Sequence, residues 1–232
     1  MTPKHHLEFE SLFDHQIVSS YPKNTRCVIA GLCDVHGSDK GSLTQSGHAY
    51  PWAAHTYADY YARLFSHCRH AIHHVFECGL GTNNTKIPSS MGALGKPGAS
   101  LRVWRDYFPH ATIHGADIDQ DILFQEERIH TYHLDQLDPT SIAHLWQKIG
   151  VSAFDLMIDD GLHTYQAGST LFMHSIDRLA EHGIYIIEDV SSTDLFRYQQ
   201  FFADQNYVVE YVCLYRPNMG LSDNSLIVIR KP

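Results

Sequence analysis

The sequence predicts an α/β fold: one mostly parallel sheet with helices on both faces and an antiparallel last strand. Three observations predict it. From Ala71 onward, short apolar runs alternate with amphipathic segments, the rhythm of repeated βα units. Two of those runs, Met157-Ile158-Asp159-Asp160-Gly161-Leu162-His163 and Tyr185-Ile186-Ile187-Glu188-Asp189, stop at adjacent carboxylates, as buried parallel strands do when they deliver ligands to a sheet edge. The last two strand candidates are joined through Pro217-Asn218-Met219-Gly220 with no helix between them.

Taken in order, the first segment, to about Asn24, carries Leu7, Phe9, Leu12, Phe13 and Ile17 and reads as a short amphipathic helix. Residues Cys33 to Ser42 are dense in turn formers and read as irregular. Tyr57 to Phe65 forms a helix whose aromatic stripe is assigned to the core. Strands follow at 73–78, 111–116, 129–134, 154–159, 183–188, 206–214 and 224–230. Helices fit between them at about 99–107, 119–125, 139–148, 165–180 and 193–204.

The length of 232 residues suits one elaborated α/β unit with ample core. A formal net charge of −9, with no run of Lys or Arg, argues against a nucleic-acid partner, which needs a basic footprint. No apolar stretch has the length of a membrane span, and the start of the chain has no signal-type segment, so no membrane partner and a cytoplasmic location are expected. Cys27, Cys33, Cys68, Cys78 and Cys213 lack paired metal spacing and read as free thiols. His67, His70 and His74 could share one helical face, which is read as solvated rather than metal-binding.

In an open α/β sheet, ligands bind outside the carboxyl ends of the strands. Asp160, Glu188 and Asp189 converging there can hold a hard divalent cation such as Mg²⁺, with His163 within reach as a base. The first strand of the alternating region ends in Glu77-Cys78-Gly79-Leu80-Gly81, where glycines let backbone approach a ligand closely. Position 84 is Asn, so the third glycine of the dinucleotide fingerprint is missing and no diphosphate cradle is evident. The second strand ends at Asp117, suited to a ribose diol, and the third at Asp135-Gln136, suited to an adenine edge. A nucleoside without a pyrophosphate fits this series, and S-adenosylmethionine fits better than NAD.

These residues resemble the class I S-adenosylmethionine-dependent methyltransferases, with their Rossmann-like seven-stranded sheet. Within them the chain is similar to the Mg²⁺-dependent sugar O-methyltransferases of the macrolide (mycinamicin) group and to cephalosporin-pathway methyltransferase-like proteins. The resemblance spans roughly 35–232 and rests on Ser38-Asp39-Lys40-Gly41, His48-Ala49-Tyr50, Glu77-x-Gly79-x-Gly81, the run from Ala99 to Pro109, Asp160-Gly161-Leu162-His163 and Glu188-Asp189. It implies metal ligation by Asp160, Glu188 and Asp189 and a general base at His163. It implies cofactor contacts at Glu77, Gly79, Gly81, Ser100, Asp117, Asp135 and Gln136, with Asp159 near the methionine moiety and Tyr50 in a covering segment. It further implies an N-terminal part (1–70) covering the active site of a catalytic part (71–232), a small hydroxylated acceptor such as a sugar or glycoside, and a homo-oligomer. Two departures, the insert Thr85 to Gly92 and the small polar segment between Gly41 and His48, border the acceptor side and leave its identity open.

The expected activity is therefore methyl transfer to a hydroxyl. Two rivals use the same residues. A metal-dependent hydrolase or lyase would leave the series from Glu77 to Gln136 without purpose. A non-catalytic cofactor-binding protein would have no need of the Asp160/His163/Glu188/Asp189 set.

Overall fold

The computed structural model describes residues 17–19, 27–41, 50, 52–214 and 221–232. Among these, nine strands form one sheet: β1 (Ile17–Ser19), β2 (His74–Cys78), β3 (Thr112–Asp117), β4 (Gln125–Glu126), β5 (Ile129–His133), β6 (Phe154–Asp159), β7 (Leu179–Ile187), β8 (Val208–Cys213) and β9 (Ser225–Arg230). Their spatial order is β1-β8-β9-β7-β6-β2-β3-β5-β4. The seven strands expected from sequence are all present, and β1 and β4 extend the two edges. The antiparallel last strand is also found, since β9 runs antiparallel to both β7 and β8. The turn at 217–220 lies outside the described residues.

Among the described residues six α-helices cover the faces: α1 (Val28–His36), α2 (Ala58–Phe65), α3 (Ala99–Tyr107), α4 (Pro139–Ile149), α5 (Tyr165–Met173) and α6 (Ser192–Phe202). One face buries Tyr61, Phe65, Leu101, Trp104, Phe108, Ile113, Ile158 and Val228 in a core shared with α1 and α2. The other buries Phe76, Trp146, Phe154, Met157, Phe172, Tyr198, Phe202 and Ile229. Side chains alternate across each strand, so Phe76 and Val75 enter opposite cores.

Several sequence expectations give way to local chemistry. Residues 33–36 are not irregular but complete α1, because Ile29, Ala30 and Cys33 bury one helical face, the Cys27 thiol caps Ala30 N–H, and Gly37 closes the helix at φ +83°. The turn formers act only from Gly37 onward. Ile17–Ser19, assigned to an N-terminal helix, form β1, with Ile17 pairing in parallel with Glu210; the rest of that helix falls outside the described residues. The expected helix 119–125 is a single 3₁₀ turn (Gln120–Ile122) followed by β4. There Asp119 caps Asp121 N–H, and Thr131 bonds both the N–H and the carbonyl of Phe124, which folds the chain back onto β5. The helix expected at 165–180 ends at Met173; a 3₁₀ turn follows, and β7 starts at Leu179. His67 and His70 sit in turns after α2 and His74 begins β2, so the three share no helical face.

Register places the site. Cys78 pairs with Asp159, and Asp159 with Ile187, across the neighbouring strands β2, β6 and β7. The next residues, Gly79, Asp160 and Glu188, therefore emerge side by side at the carboxyl edge. Asp160 N–H donates to the Cys78 carbonyl and Glu188 N–H to the Asp159 carbonyl, both at 2.9 Å, which carries the pairing one step past the strands. The chain progresses outward from β2 through β3 to β5, then returns to the other flank of β2 as β6. This is the point of a doubly wound sheet where ligands bind.

Candidate functional site

A cavity of about 390 Å³ opens at this edge, a size typical of small-molecule sites. Among the residues that line it are Gly79, Gly81, Asp117, Asp135, Gln136, Asp160, His163 and Asp189. Eight of the positions singled out in the sequence thus meet in one space. Ser100 and Tyr50 line a smaller adjoining space of about 30 Å³, which shares Gly79, Gly81 and Asp160 with the larger one. Glu77, Asp159 and Glu188 lie in the protein beneath, each 3% exposed or less.

Gly79 has φ +92°, and a Cβ placed there would meet the Asp160 carbonyl oxygen at 1.9 Å. The first glycine thus serves chain packing between β2 and the end of β6. At Gly81, φ +75°, a Cβ would meet only the movable Met91 side chain. The Asp117 carboxylate accepts from Leu80 N–H at 2.7 Å and from Asp119 N–H at 2.8 Å, so it fixes the glycine turn to the end of β3. Gln136 donates to Asp159 at 2.6 Å and accepts from Leu162 N–H at 3.0 Å, tying β5 to the acidic loop after β6. Asp135 accepts from Leu137 N–H at 2.9 Å. The Tyr50 hydroxyl donates to the Gly37 carbonyl, and its ring stacks on Trp52.

Asp160, His163 and Asp189 offer ligand atoms within 4.8 Å of one another, the one such group among the described residues that could hold a metal ion. His163 Nε2 lies 3.2 Å from Asp160 Oδ1, and its Nδ1 lies 3.6 Å from Asp189 Oδ2. Both His163 (φ +56°) and Asp189 (φ +53°) occupy left-handed backbone, a strain that persists where surrounding structure enforces it and that is common at functional sites. Burial would lower the His163 pKa, but the Asp189 and Asp160 carboxylates prevail and push it up to about 10. Burial would raise the Asp189 carboxyl, whereas His163 and His55 hold it well below the usual carboxylate range. Glu188 is turned inward, accepting from Lys40 Nζ and from the Tyr61 hydroxyl. Burial raises its pKa and that of Glu77, with Lys40 opposing the rise in both.

Four residues that reach the acidic edge were given no role there by the sequence reading. Lys40 contacts Asp160, Glu188 and, at 3.4 Å, Glu77. His55 Nδ1 lies 3.0 Å from Asp189 Oδ1, and the Tyr57 hydroxyl donates to the same oxygen at 2.6 Å. Tyr61 reaches Glu188. The aromatic stripe of α2 does lie in the core, but its phenol oxygens extend to the acidic edge. The four-residue spacing of Tyr57 and Tyr61, which stacks two hydroxyls on one helix face, was the available signal.

No family model matches the chain. It is 34% identical over 165 residues to the 8-demethyl-8-alpha-L-rhamnosyl tetracenomycin-C 2'-O-methyltransferase of Streptomyces olivaceus, covering 71% of this chain and 38% of that one. It is 31% identical over 172 residues to the mycinamicin VI 2''-O-methyltransferase of Micromonospora griseorubida, covering 72% and 40% respectively. The chain thus spans about two-fifths of the length of these curated relatives. By structure it superposes on the MycE methyltransferase in complex with Mg, S-adenosylhomocysteine and mycinamycin VI with a TM-score of 0.63, at 22% identity, over 90% of this chain and 56% of that one. It also matches an S-adenosylmethionine-dependent methyltransferase from Anabaena variabilis with a TM-score of 0.50, at 12% identity, over 94% and 100%. The chain has the class I methyltransferase fold, and its relatives in sequence are named as O-methyltransferases of rhamnosyl tetracenomycin-C and of mycinamicin VI.

Proposed function

We propose that this chain is an S-adenosylmethionine-dependent, Mg²⁺-dependent O-methyltransferase acting on a hydroxyl of a sugar or glycosylated natural product. One observation carries the reading: a single cavity is lined both by the nucleoside-type residues Gly79, Gly81, Asp117, Asp135 and Gln136 and by the acid–imidazole group Asp160, His163 and Asp189. A hydrolase would need only the second set. The relatives support the acceptor class, since the Streptomyces olivaceus protein is named for methylating a rhamnosyl unit.

The donor set fits a hard divalent cation: oxygens of Asp160 and Asp189 already lie close together, and Glu188 follows from the adjacent strand end. We assign Asp160, Glu188 and Asp189 as its ligands. When bound, Mg²⁺ supplies charge to stabilise a developing alkoxide and takes up the carboxylate charge that otherwise keeps His163 protonated. Glycines 79 and 81 admit the cofactor against the backbone, and Asp117, Asp135 and Gln136 border its nucleoside end. Ser100 and Tyr50, at the adjoining space, border the methionine end, with Glu77 and Asp159 shaping the floor from beneath. His163 holds the acceptor hydroxyl and takes its proton as the methyl group transfers. Residues 1–70 act as the covering segment of the catalytic part 71–232, a reading supported by the reach of Lys40, His55, Tyr57 and Tyr61 to the acidic edge. A homo-oligomeric state and a cytoplasmic location belong to the same proposal.

The test is transfer of a labelled methyl group from S-adenosylmethionine to glycosides bearing adjacent free hydroxyls, with Mg²⁺ or with EDTA. Labelled ether that forms only with the metal is the expected result. His163→Ala should slow turnover by about 10²–10⁴-fold while retaining S-adenosylhomocysteine binding. Undiminished turnover in that variant would remove His163 from the chemistry.

A further inference from the structure

Lys40 is 3% exposed, and its ammonium is enclosed by carboxylates from three strand ends: Glu188 Oε2, Asp160 Oδ2 and, at 3.4 Å, Glu77 Oε1. The proposed function, on which this inference rests, gives that ammonium no task. Yet Asp160 and Glu188 are two of the three carboxylates assigned to the divalent cation, and Lys40 engages one oxygen of each. An ammonium and a divalent cation sharing those oxygens repel each other strongly in a buried setting, where water screens little. Asp189, the third carboxylate, is held instead by His55 and Tyr57 and flanked by His163.

A place for the ammonium to retreat is present. Glu77 is fully buried, its Oε2 accepts from Trp104 Nε1, and its Oε1 has no hydrogen-bond partner among the described residues. Lysine suits such a change, being a compact charge on a flexible four-carbon stem.

We propose that Lys40 is a resident counter-cation of the acidic site. It holds Glu77, Asp160 and Glu188 together before metal arrives, then yields Asp160 and Glu188 to the divalent cation and withdraws onto Glu77. Lys40 is on this account a positioning residue that competes with the metal, so metal affinity is the difference between two cations.

The experiment titrates the full chain with Mn²⁺, a spectroscopic probe for the Mg²⁺ site, in wild type and Lys40→Met, and records thermal midpoints with and without the ion. The variant should bind Mn²⁺ about tenfold more tightly or better. It should also melt earlier than wild type without metal and recover more of its midpoint when Mn²⁺ is added. Lys40→Gln, which keeps a hydrogen-bond donor beside Glu188, is read the same way if the methionine variant does not fold. Equal or weaker Mn²⁺ binding in the variant, with normal binding in wild type, overturns the proposal alone. Absence of Mn²⁺ binding in both overturns it together with the metal-assisted reading. S-adenosylhomocysteine binding, measured separately, reports on the methyltransferase reading.

Discussion

Gly79 shows how one residue serves fold and site together. Its φ of +92° and its 1.9 Å approach to the Asp160 carbonyl leave no space for a side chain, and the obstructing atom is backbone, which cannot rotate aside. Gly79→Ala should therefore destabilise the protein by about 3 kcal/mol or more and displace the acidic loop, whereas Gly81→Ala meets only the Met91 side chain and should cost less. Denaturant melts of the two variants test the ranking, and equal losses would contradict it. Residue-level reading of the sequence was strongest for groups whose chemistry is local. Asp160 and His163, three apart on one loop, were legible because spacing alone brings them together. The contacts of Lys40 with Asp160 and Glu188 and of His55 with Asp189 were not, because those carboxylates lie 120 and more positions away and only the fold brings them together. Tyr57 and Tyr61 show a third case: the rings obey the hydrophobic pattern, and the pattern says nothing about where the hydroxyls end.

At the scale of elements, β2, β3 and β5 carry a line of rings across one face of the sheet. His114 lies between His74 and His130, at centroid distances of 6.4 and 5.8 Å, and stacks on Tyr132 at 6.1 Å. Burial above all, helped by repulsion from His130 and His74, lowers the His114 pKa from its ordinary 6.5 to about 4. The unfolded chain takes up a proton near 6.5 while the folded ring stays neutral. The ring's contribution is complete above that pH and is lost as pH falls from about 6.5 towards 4. His114→Phe should flatten the fall of the thermal midpoint across this window relative to wild type, and parallel curves would contradict the assignment. The elements most legible in the sequence were those fixed by apolar periodicity, such as β6 and α4. Those misread were decided by side-chain bonds to backbone. Thr131 pulling Phe124 into a hairpin and the Cys27 thiol capping α1 leave no periodic trace.

For the whole molecule, the strand order places the cavity beside β2, where the chain changes direction across the sheet, and the antiparallel β9 completes a sheet that α1 and α2 cover from one side. That topology was legible because parallel strands require crossovers and the final pair lacks one. No helix among the described residues is long and apolar enough to cross a membrane. The segment before β2 joins the same core as α3 and sends Lys40, Tyr57 and Tyr61 to the acidic edge, so the cavity, the carboxylates beside it and this segment form one connected structure. The most direct test of this account is calorimetric titration of the purified chain with S-adenosylhomocysteine, with and without Mg²⁺, repeated on Asp160→Ala. The account predicts micromolar cofactor binding by wild type and loss of the Mg²⁺ response in the variant; no cofactor binding under either condition would contradict it.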